Sequence, residues 1–320
     1  MSTNEEIMPA TAAQPAPASL GKKIGLTIVF FALLFFFTLT KLPQAKITAL
    51  VQGYVQSALD PYGIYISDHG REFSVWKGFQ YRLIQPTLEL ADQSRVELEE
   101  MVVQPTLLSL FSGKVGATVD ITQILERTPA KTDLSRIHIE GTARGDLINA
   151  NIKIEDLDLG KFGIFAFAGG LKGHGQIAGD IHIDGHLADL PSLAGNIDLK
   201  LKKLHMDEQN LFGFQLPTMD VSDGTIDASI DHGKLLLKKV QIGKGSDDLL
   251  INVTGDIGLN RNINSSTLNM RAVIGFSDKL KQSLSLLDSI LGAAKQADGR
   301  YVYKLTGSFM APFPIPDPQK

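Results

Sequence analysis

The sequence predicts a mainly β protein: a single N-terminal transmembrane helix, then a curved, mostly antiparallel β-sheet body with two peripheral amphipathic helices. Three observations carry this. A charge-free apolar run lies near the N-terminus, period-two alternation of apolar and polar residues dominates from residue 64 onward, and glycine-bearing turns separate the alternating runs. With 43% hydrophobic and 21% charged residues among 320, the chain sits near the globular average, which excludes a disordered chain and a polytopic membrane protein. Without cysteine there is no disulfide framework, no Cys-ligated metal and no thiol nucleophile. A formal net charge of -4 offers no general attraction to phosphate backbones, so nucleic acid is not an expected partner.

The apolar run is Ile24 to Thr40, IGLTIVFFALLFFFTLT, with Lys22 and Lys23 before it and Lys41 after it. Its bulk comes from Ile24, Leu26, Ile28, Val29, Phe30, Phe31, Leu33, Leu34, Phe35, Phe36, Phe37 and Leu39. As a helix the run reaches about 26 Å, and Leu20, Leu42 and snorkelling lysines make up the difference from a hydrocarbon core of about 30 Å. No small-x-small cleavage site follows, the next residues being KLPQAKIT, so the run is expected to remain as an anchor rather than to be removed as a secretory signal. Lys22 and Lys23 on one side nearly balance Lys41 and Lys46 on the other. Orientation therefore rests on the short Ala/Pro-rich tail ahead of the anchor, which has the composition of a solvated cytoplasmic extension. The expected order is residues 1–21 as a disordered cytoplasmic tail, 22–42 as the anchor in the inner membrane bilayer, 43–311 as a periplasmic β-rich domain and 312–320 as a Pro-rich tail.

Beyond the anchor, Ile47, Leu50, Val51, Tyr54, Val55, Ala58 and Leu59 recur at helical spacing, predicting an amphipathic helix over about 45–60 that Pro61-Tyr62-Gly63 stops. Alternation then marks half-buried strands at Ile137-Ile139, Ile177-Ile181-Ile183, Ile197-Leu199-Leu201, Ile226-Ala228-Ile230, Leu249-Ile251-Val253 and Leu268-Met270-Ala272-Ile274-Phe276. The phase slips at Leu201-Lys202-Lys203-Leu204 and at Leu237-Lys238-Lys239-Val240, which predicts two β-bulges. Ala168-Gly169-Gly170, Asp184-Gly185, Asp223-Gly224 and His232-Gly233 read as tight turns between antiparallel neighbours. A second helix is expected from Ser277 to Ala297, capped by Ser277-Asp278 and carrying Leu280, Leu284, Leu287, Leu291 and Ala294 on one stripe. Past Phe309, the missing amides of Pro312, Pro314, Pro316 and Pro318 are expected to forbid further ladder pairing and leave an extended tail. Gln85-Pro86-Thr87-Leu88 recurs as Gln104-Pro105-Thr106-Leu107, but no repeat of solenoid period emerges.

Chemistry is sparse. No G-x-S-x-G is present, and Gly173-His174-Gly175 with Gly179 leads into a strand with the wrong spacing for a dinucleotide fingerprint, so turn glycines account for it. Gly243-Lys244-Gly245-Ser246 lacks the upstream glycine of a phosphate loop and reads as a hairpin turn. His174, His182 and His186, with Asp180 and Asp184, are the one grouping of metal-ligand types, but Asp180, His182 and Asp184 share the polar side of a strand as any solvated face would arrange them. Glu97, Glu99 and Glu100, and Asp247 with Asp248, read as charged edges and turns that discourage aggregation. No catalytic residue, cofactor or metal is expected. The residues singled out instead form an apolar sheet face: Ile137, Ile139, Ile181, Ile183, Leu199, Ile251 and Val253.

Three stretches, YRLIQPTLELADQSRVELEEMVVQPTLLSLFSGKVG at 81–116, LLLKKVQIGKGSDDLLINVTGDIGL at 235–259 and DGRYVYKLTGSFMAPFPIP at 298–316, together with the anchor, resemble protein N of the bacterial type II secretion system. The alternating signature with its Gly-Asp pairs is also similar to the AsmA-like envelope proteins. The first resemblance implies a non-enzymatic component of the inner membrane that contacts other secretion subunits in the periplasm, the secretin among them. The second implies a lipid ligand held in a greasy trough on one sheet face. A sealed apolar face speaks for the first and an open groove for the second.

Overall fold

The computed structural model describes residues 64–74, 79–89, 95–106, 111–127, 132–162, 172–186, 188–211, 214–283 and 291–317, with isolated positions elsewhere. The anchor run 24–40 and its lysines lie outside these residues except for Phe30, which is helical and 60% exposed. Among the described residues no helix is long and apolar enough to cross a membrane. The chain divides into two units, Met1–Ile47 and Thr48–Lys320, and the sheet belongs to the second.

In chain order the strands are β1 (Tyr65–Ser67), β2 (Gly70–Ser74), β3 (Gln80–Ile84), β4 (Thr87–Glu89), β5 (Arg95–Glu97), β6 (Glu100–Pro105), β7 (Val115–Arg127), β8 (Thr132–Arg144), β9 (Leu147–Asp158) and β10 (Gly173–His186). There follow β11 (Ala194–Met206), β12 (Gln209–Leu211), β13 (Phe214–Leu216), β14 (Met219–Asp231), β15 (Lys234–Ile242), β16 (Leu249–Gly258), β17 (Thr267–Phe276), β18 (Tyr301–Gly307) and β19 (Pro312–Pro316). Fourteen of them form one sheet in the order β19-β18-β17-β16-β15-β14-β11-β10-β9-β8-β7-β6-β3-β2. Every neighbouring pair is antiparallel. The meander follows from short connections: β8 turns into β9 at Gly145-Asp146, and β14 into β15 at His232-Gly233, where φ is 47° and 74° as a two-residue hairpin turn demands. Two excursions interrupt it, the hairpin β12-β13 and a small sheet in the order β1-β4-β5.

The lysine pairs are bulges, as the phase slips predict. Pairing of β15 shifts register on both sides, so that Lys238 is the extra residue, while β11 shifts against β10 at Lys203, whose φ is 51°. A further bulge at Asp156, φ 48°, lets Ile154 and Leu157 face the same side of β9. Of the predicted glycine turns, Ala168-Gly169-Gly170 lies outside the described residues, Asp223-Gly224 is instead inside β14 and Asp184-Gly185 is paired near the end of β10, a strand that Gly173 opens and that also contains Gly175 and Gly179. Gly179 shows why: at φ 148° its backbone sits so close to β11 that an added Cβ would collide with the carbonyl of Asp198. Glycine here relieves crowding between strands.

Helix α1 (Asp278–Ser283) starts where its cap predicts, the Oγ of Ser277 accepting from the amide of Leu280 at 3.2 Å. The helical prediction to residue 297 is overturned at its end, since Gly292–Ala294 is a 3-10 turn and Lys295 bridges to Tyr301. Residues 284–290, with Leu284 and Leu287 of the expected stripe, lie outside the described residues. For the earlier helix, positions 49, 52, 53 and 56 are helical.

The prolines also contradict their reading as a tail that cannot pair, because Pro312–Pro316 is a strand laid along β18. Prolines alternate with Phe313 and Ile315, and N–H groups along a strand point alternately to either side. All missing amides therefore fall on the outer side, leaving the amides of Phe313 and Ile315 for β18. The outer edge offers acceptors without donors, which blunts this end of the sheet against strand addition.

Candidate functional site

Register places the seven predicted face residues on one side of the sheet. Ile137 continues across the strands through Ile154, Gly179, Leu199, Ile226 and Val240 to Val253, each directly opposite the next. Ile139 leads through Ile152 to Ile181, with Ile183 against Ala150 beside it, and Ile251 lies opposite Ile242. Such cross-strand aliphatic pairs are what holds a sheet's register. Leu199 is buried, at 9% exposure; Ile137, Ile139, Ile181, Ile183, Ile251 and Val253 are half-buried. The face is a continuous aliphatic surface that remains partly accessible.

Ile152 and Ile154 of β9 were not among the predicted residues, although the alternation Ile148-Ala150-Ile152-Ile154 is as regular as any in the chain. They occupy the middle of the face, between β8 and β10. A compact cluster of Leu159, Leu201, Leu204 and Val221 seals one margin, with Ile177, Ile226, Ile242 and Leu249 packed against it.

The opposite, polar face holds the histidines. His174 stacks on His205 at 4.7 Å between ring centroids, His182 Nδ1 lies 2.7 Å from the Asn151 side-chain oxygen, and His186 Nδ1 lies 3.2 Å from Asp146. Each thus has its own partner. His182 and Asp180 do share a polar groove of about 380 Å³, together with His138, Glu140, Asn151 and Lys153. His138 sits between Asp120 at 2.5 Å and Glu140 at 3.2 Å, and the hydrogen bond to Asp120, then that to Glu140, raises its pKa above the ordinary 6.5. Among the described residues no three His, Asp or Glu side chains are placed to hold a metal ion.

Of the acidic residues read as charged edges and turns, Glu97 lies on β5 at an edge of the small sheet and Asp247 and Asp248 lie in the β15-β16 turn. Asp247, Asp248 and Glu100 also fasten neighbouring elements. Asp247 accepts from the Ser222 amide and hydroxyl at 3.0 and 2.8 Å and from the Lys244 amide at 2.8 Å, tying the β15-β16 turn to β14. Asp248 accepts from the Ser277 hydroxyl at 2.8 Å, and Glu100 pairs with Arg82 at 2.6 Å. Gly243–Ser246 lies in the link between β15 and β16, as its reading as a hairpin turn requires.

No protein-family model, curated protein or solved structure matches the chain.

Proposed function

We propose that the chain is a non-enzymatic component of a type II protein secretion system, anchored in the inner membrane by residues 22–42 with its sheet in the periplasm, where it contacts other secretion subunits, the secretin among them. What supports the secretion reading is the resemblance of residues 81–116, 235–259 and 298–316 to protein N; the accessible aliphatic face through Ile137, Ile154, Leu199 and Val253 supports a binding role of either kind. Apolar surface left open in a sheet whose backbone is already paired is surface suited to a partner. The stretches that resemble protein N lie on strand units at the two ends of the sheet, 81–116 on β3 to the start of β7, 235–259 on β15 and β16, and 298–316 on β18 and β19. Each stretch thus takes in paired strands together with the links between them.

The accessibility of that face favours a second reading, an AsmA-like lipid carrier in which the sheet curves into a groove for acyl chains. The two readings part on what occupies the face. A deletion strain should fail to export the substrates of its secretion system, and Ile139→Asp together with Ile181→Asp should reproduce the defect with the protein still inserted and folded. Normal export in the deletion strain, with phospholipid recovered at stoichiometric amounts from the purified full chain, overturns the secretion reading in favour of the carrier.

A further inference from the structure

The turn that joins β18 to β19 carries residues ill suited to a turn in water. The Ser308 carbonyl accepts from the Ala311 amide at 3.1 Å, and the Ser308 hydroxyl from the same amide at 3.2 Å, so Phe309 and Met310 occupy the two central positions. Such positions usually fall to Gly, Pro, Asn or Asp, which suit both the bent backbone and the surrounding water. Here the two side chains are 54% and 70% exposed, and Phe313 of β19 beside them is 64% exposed. The turn is nonetheless firmly held. Phe309 donates its amide to the Ser266 carbonyl at 2.8 Å and Met310 to the Asn264 carbonyl at 3.3 Å, which ties it to the β16-β17 link, where Ile263 adds a fourth apolar side chain at 46% exposure. Large apolar side chains held out at a tip, rather than folded back on the sheet, mark a surface that meets something apolar.

Two properties of this corner select its partner. Along β19 the prolines present carbonyls and no amides to the outside, so a strand laid there, from another protein or from a second copy, would find no donors for its own carbonyls. Charge points further. Residues 257–277 and 299–316, which build the corner, contain none of the chain's 35 acidic residues and carry Arg261, Arg271, Arg300 and Lys304. The carboxylates that border them are each paired: Asp189 lies 3.2 Å from Arg261, Asp317 3.2 Å from Arg271, Asp298 3.5 Å from Arg300 and Asp256 3.9 Å from Lys234. An apolar tip backed by cations, with every neighbouring carboxylate neutralised, is complementary to a layer of acyl chains topped by phosphates.

We propose that the turn at 308–311, with Ile263 and Phe313 beside it, dips into the surface of an anionic phospholipid bilayer. Phe309 and Met310 enter the boundary between headgroups and acyl chains, and Arg261, whose side chain is 83% exposed, stays with Lys304 at the level of the phosphates. The contact goes beyond both readings above, since neither concerns this turn and it stands whichever ligand occupies the aliphatic face.

Because the chain has no cysteine, Met310→Cys labelled with an environment-sensitive nitrobenzoxadiazole dye reports on this turn alone. The labelled full chain is placed in vesicles of phosphatidylethanolamine and phosphatidylglycerol, with nitroxide-bearing phospholipid either in the same vesicles or in a second, protein-free population. Emission is expected to shift to the blue and to be quenched at least about fivefold more than from a label at Ser246→Cys. Ser246 is exposed in the β15-β16 link, at the opposite end of β16 from Ile263. Phe309→Ser in the labelled chain should weaken the quenching about fivefold, and exchange of phosphatidylglycerol for phosphatidylcholine about threefold. The side chains replaced at 309 and 310 are more than half exposed, so both variants should fold, and circular dichroism checks that they do. Absence of quenching by either vesicle population overturns the proposal. A blue shift without lipid quenching does so as well, by showing that a second copy or another protein covers the turn. Quenching undiminished by Phe309→Ser would mean that the dye alone enters the bilayer, and quenching equal in phosphatidylcholine would remove the match to an anionic surface; either result also overturns it.

Discussion

The β17-β18 end of the sheet and its β8-β10 centre are built from the same alternating pattern and end in different states. At the first, Tyr301 is wholly buried and meets Phe276 edge-on at 5.7 Å between ring centroids. Leu280 of α1 at 2% and Ala294 of the 3-10 turn at 0% are equally enclosed, and Val302, on the other side of β18 from Tyr301, is 2% exposed. At the centre, Ile137, Ile139, Ile152, Ile154, Ile181 and Ile183 have equally regular spacing and are only half-buried. Alternation decides which way a side chain points; burial requires a second layer over it. The end has such a layer in α1 and the 3-10 turn, whose Lys295 bridges back to Tyr301.

The strongest test of this contrast compares matched truncations. Tyr301→Ala removes a fully enclosed aromatic ring and should cost about 3–5 kcal/mol, whereas Ile139→Ala at the centre, already half in contact with water, should cost about 1 kcal/mol. Chemical denaturation of the two variants beside the unchanged chain measures both. Equal losses would mean that the centre is sealed as well as the end.

The same contrast explains what could be read in advance. Strands, antiparallel order, both lysine-pair bulges and the Ser277 cap are local properties, carried by spacing and residue type, and all were legible. Misreadings arose where an answer depended on a neighbouring strand. Gly179 looks like a turn residue until β11 lies against it, and the prolines of β19 look like an ending until their alternation is set beside β18. Accessibility of Ile139 and Ile181, and the fastening of the turn at 308–311 to the β16-β17 link, depend on tertiary placement in the same way.

A sharper form of the comparison uses charge. Ile139→Lys with Ile181→Lys puts two long side chains on the open centre, where the ammonium groups can reach water, so the melting temperature should fall only slightly. An apolar fluorescent dye that binds the unchanged protein should lose its site. Dye binding that survives the double substitution would locate the accessible apolar surface elsewhere, and global unfolding would show the centre to be core.

A smaller effect is expected where the turn after β15 is fastened. Burial pushes the Asp247 carboxyl up, but hydrogen bonds from Lys244 and Ser222 outweigh it and hold the pKa below the ordinary 3.8. A carboxylate depressed in the folded state stabilises above its unfolded pKa and loses that contribution as pH falls through the folded value. Asp247→Asn should therefore cost about 1 kcal/mol at neutral pH and progressively less below about pH 4, flattening the acid limb of a stability–pH curve. Parallel curves for the two proteins would mean that this fastening does not depend on charge.

The smallest effect belongs to the polar side of the open centre. His138 on β8 faces Asp120 on β7, and its ring reaches Glu140 two residues along its own strand, so protonation places a cation between two carboxylates. Its hydrogen bond to Asp120 is the main reason the pKa stands above 6.5, with Glu140 second and partial desolvation opposing both. Because the folded value is raised, the contribution is fully present below the unfolded pKa and is lost as pH rises through the folded one. Lys153 lies directly opposite His138 on β9, and Arg136 shares its face one step along β8, so two further cations oppose the charge from nearby. With the side chain 40% exposed, the effect on stability should be slight, and proton titration of the His138 ring followed by NMR is the more sensitive measurement. Asp120→Asn should lower the midpoint toward the ordinary value and Glu140→Gln should lower it less. The reverse order would show that the contact along the strand, rather than the one across it, holds the proton.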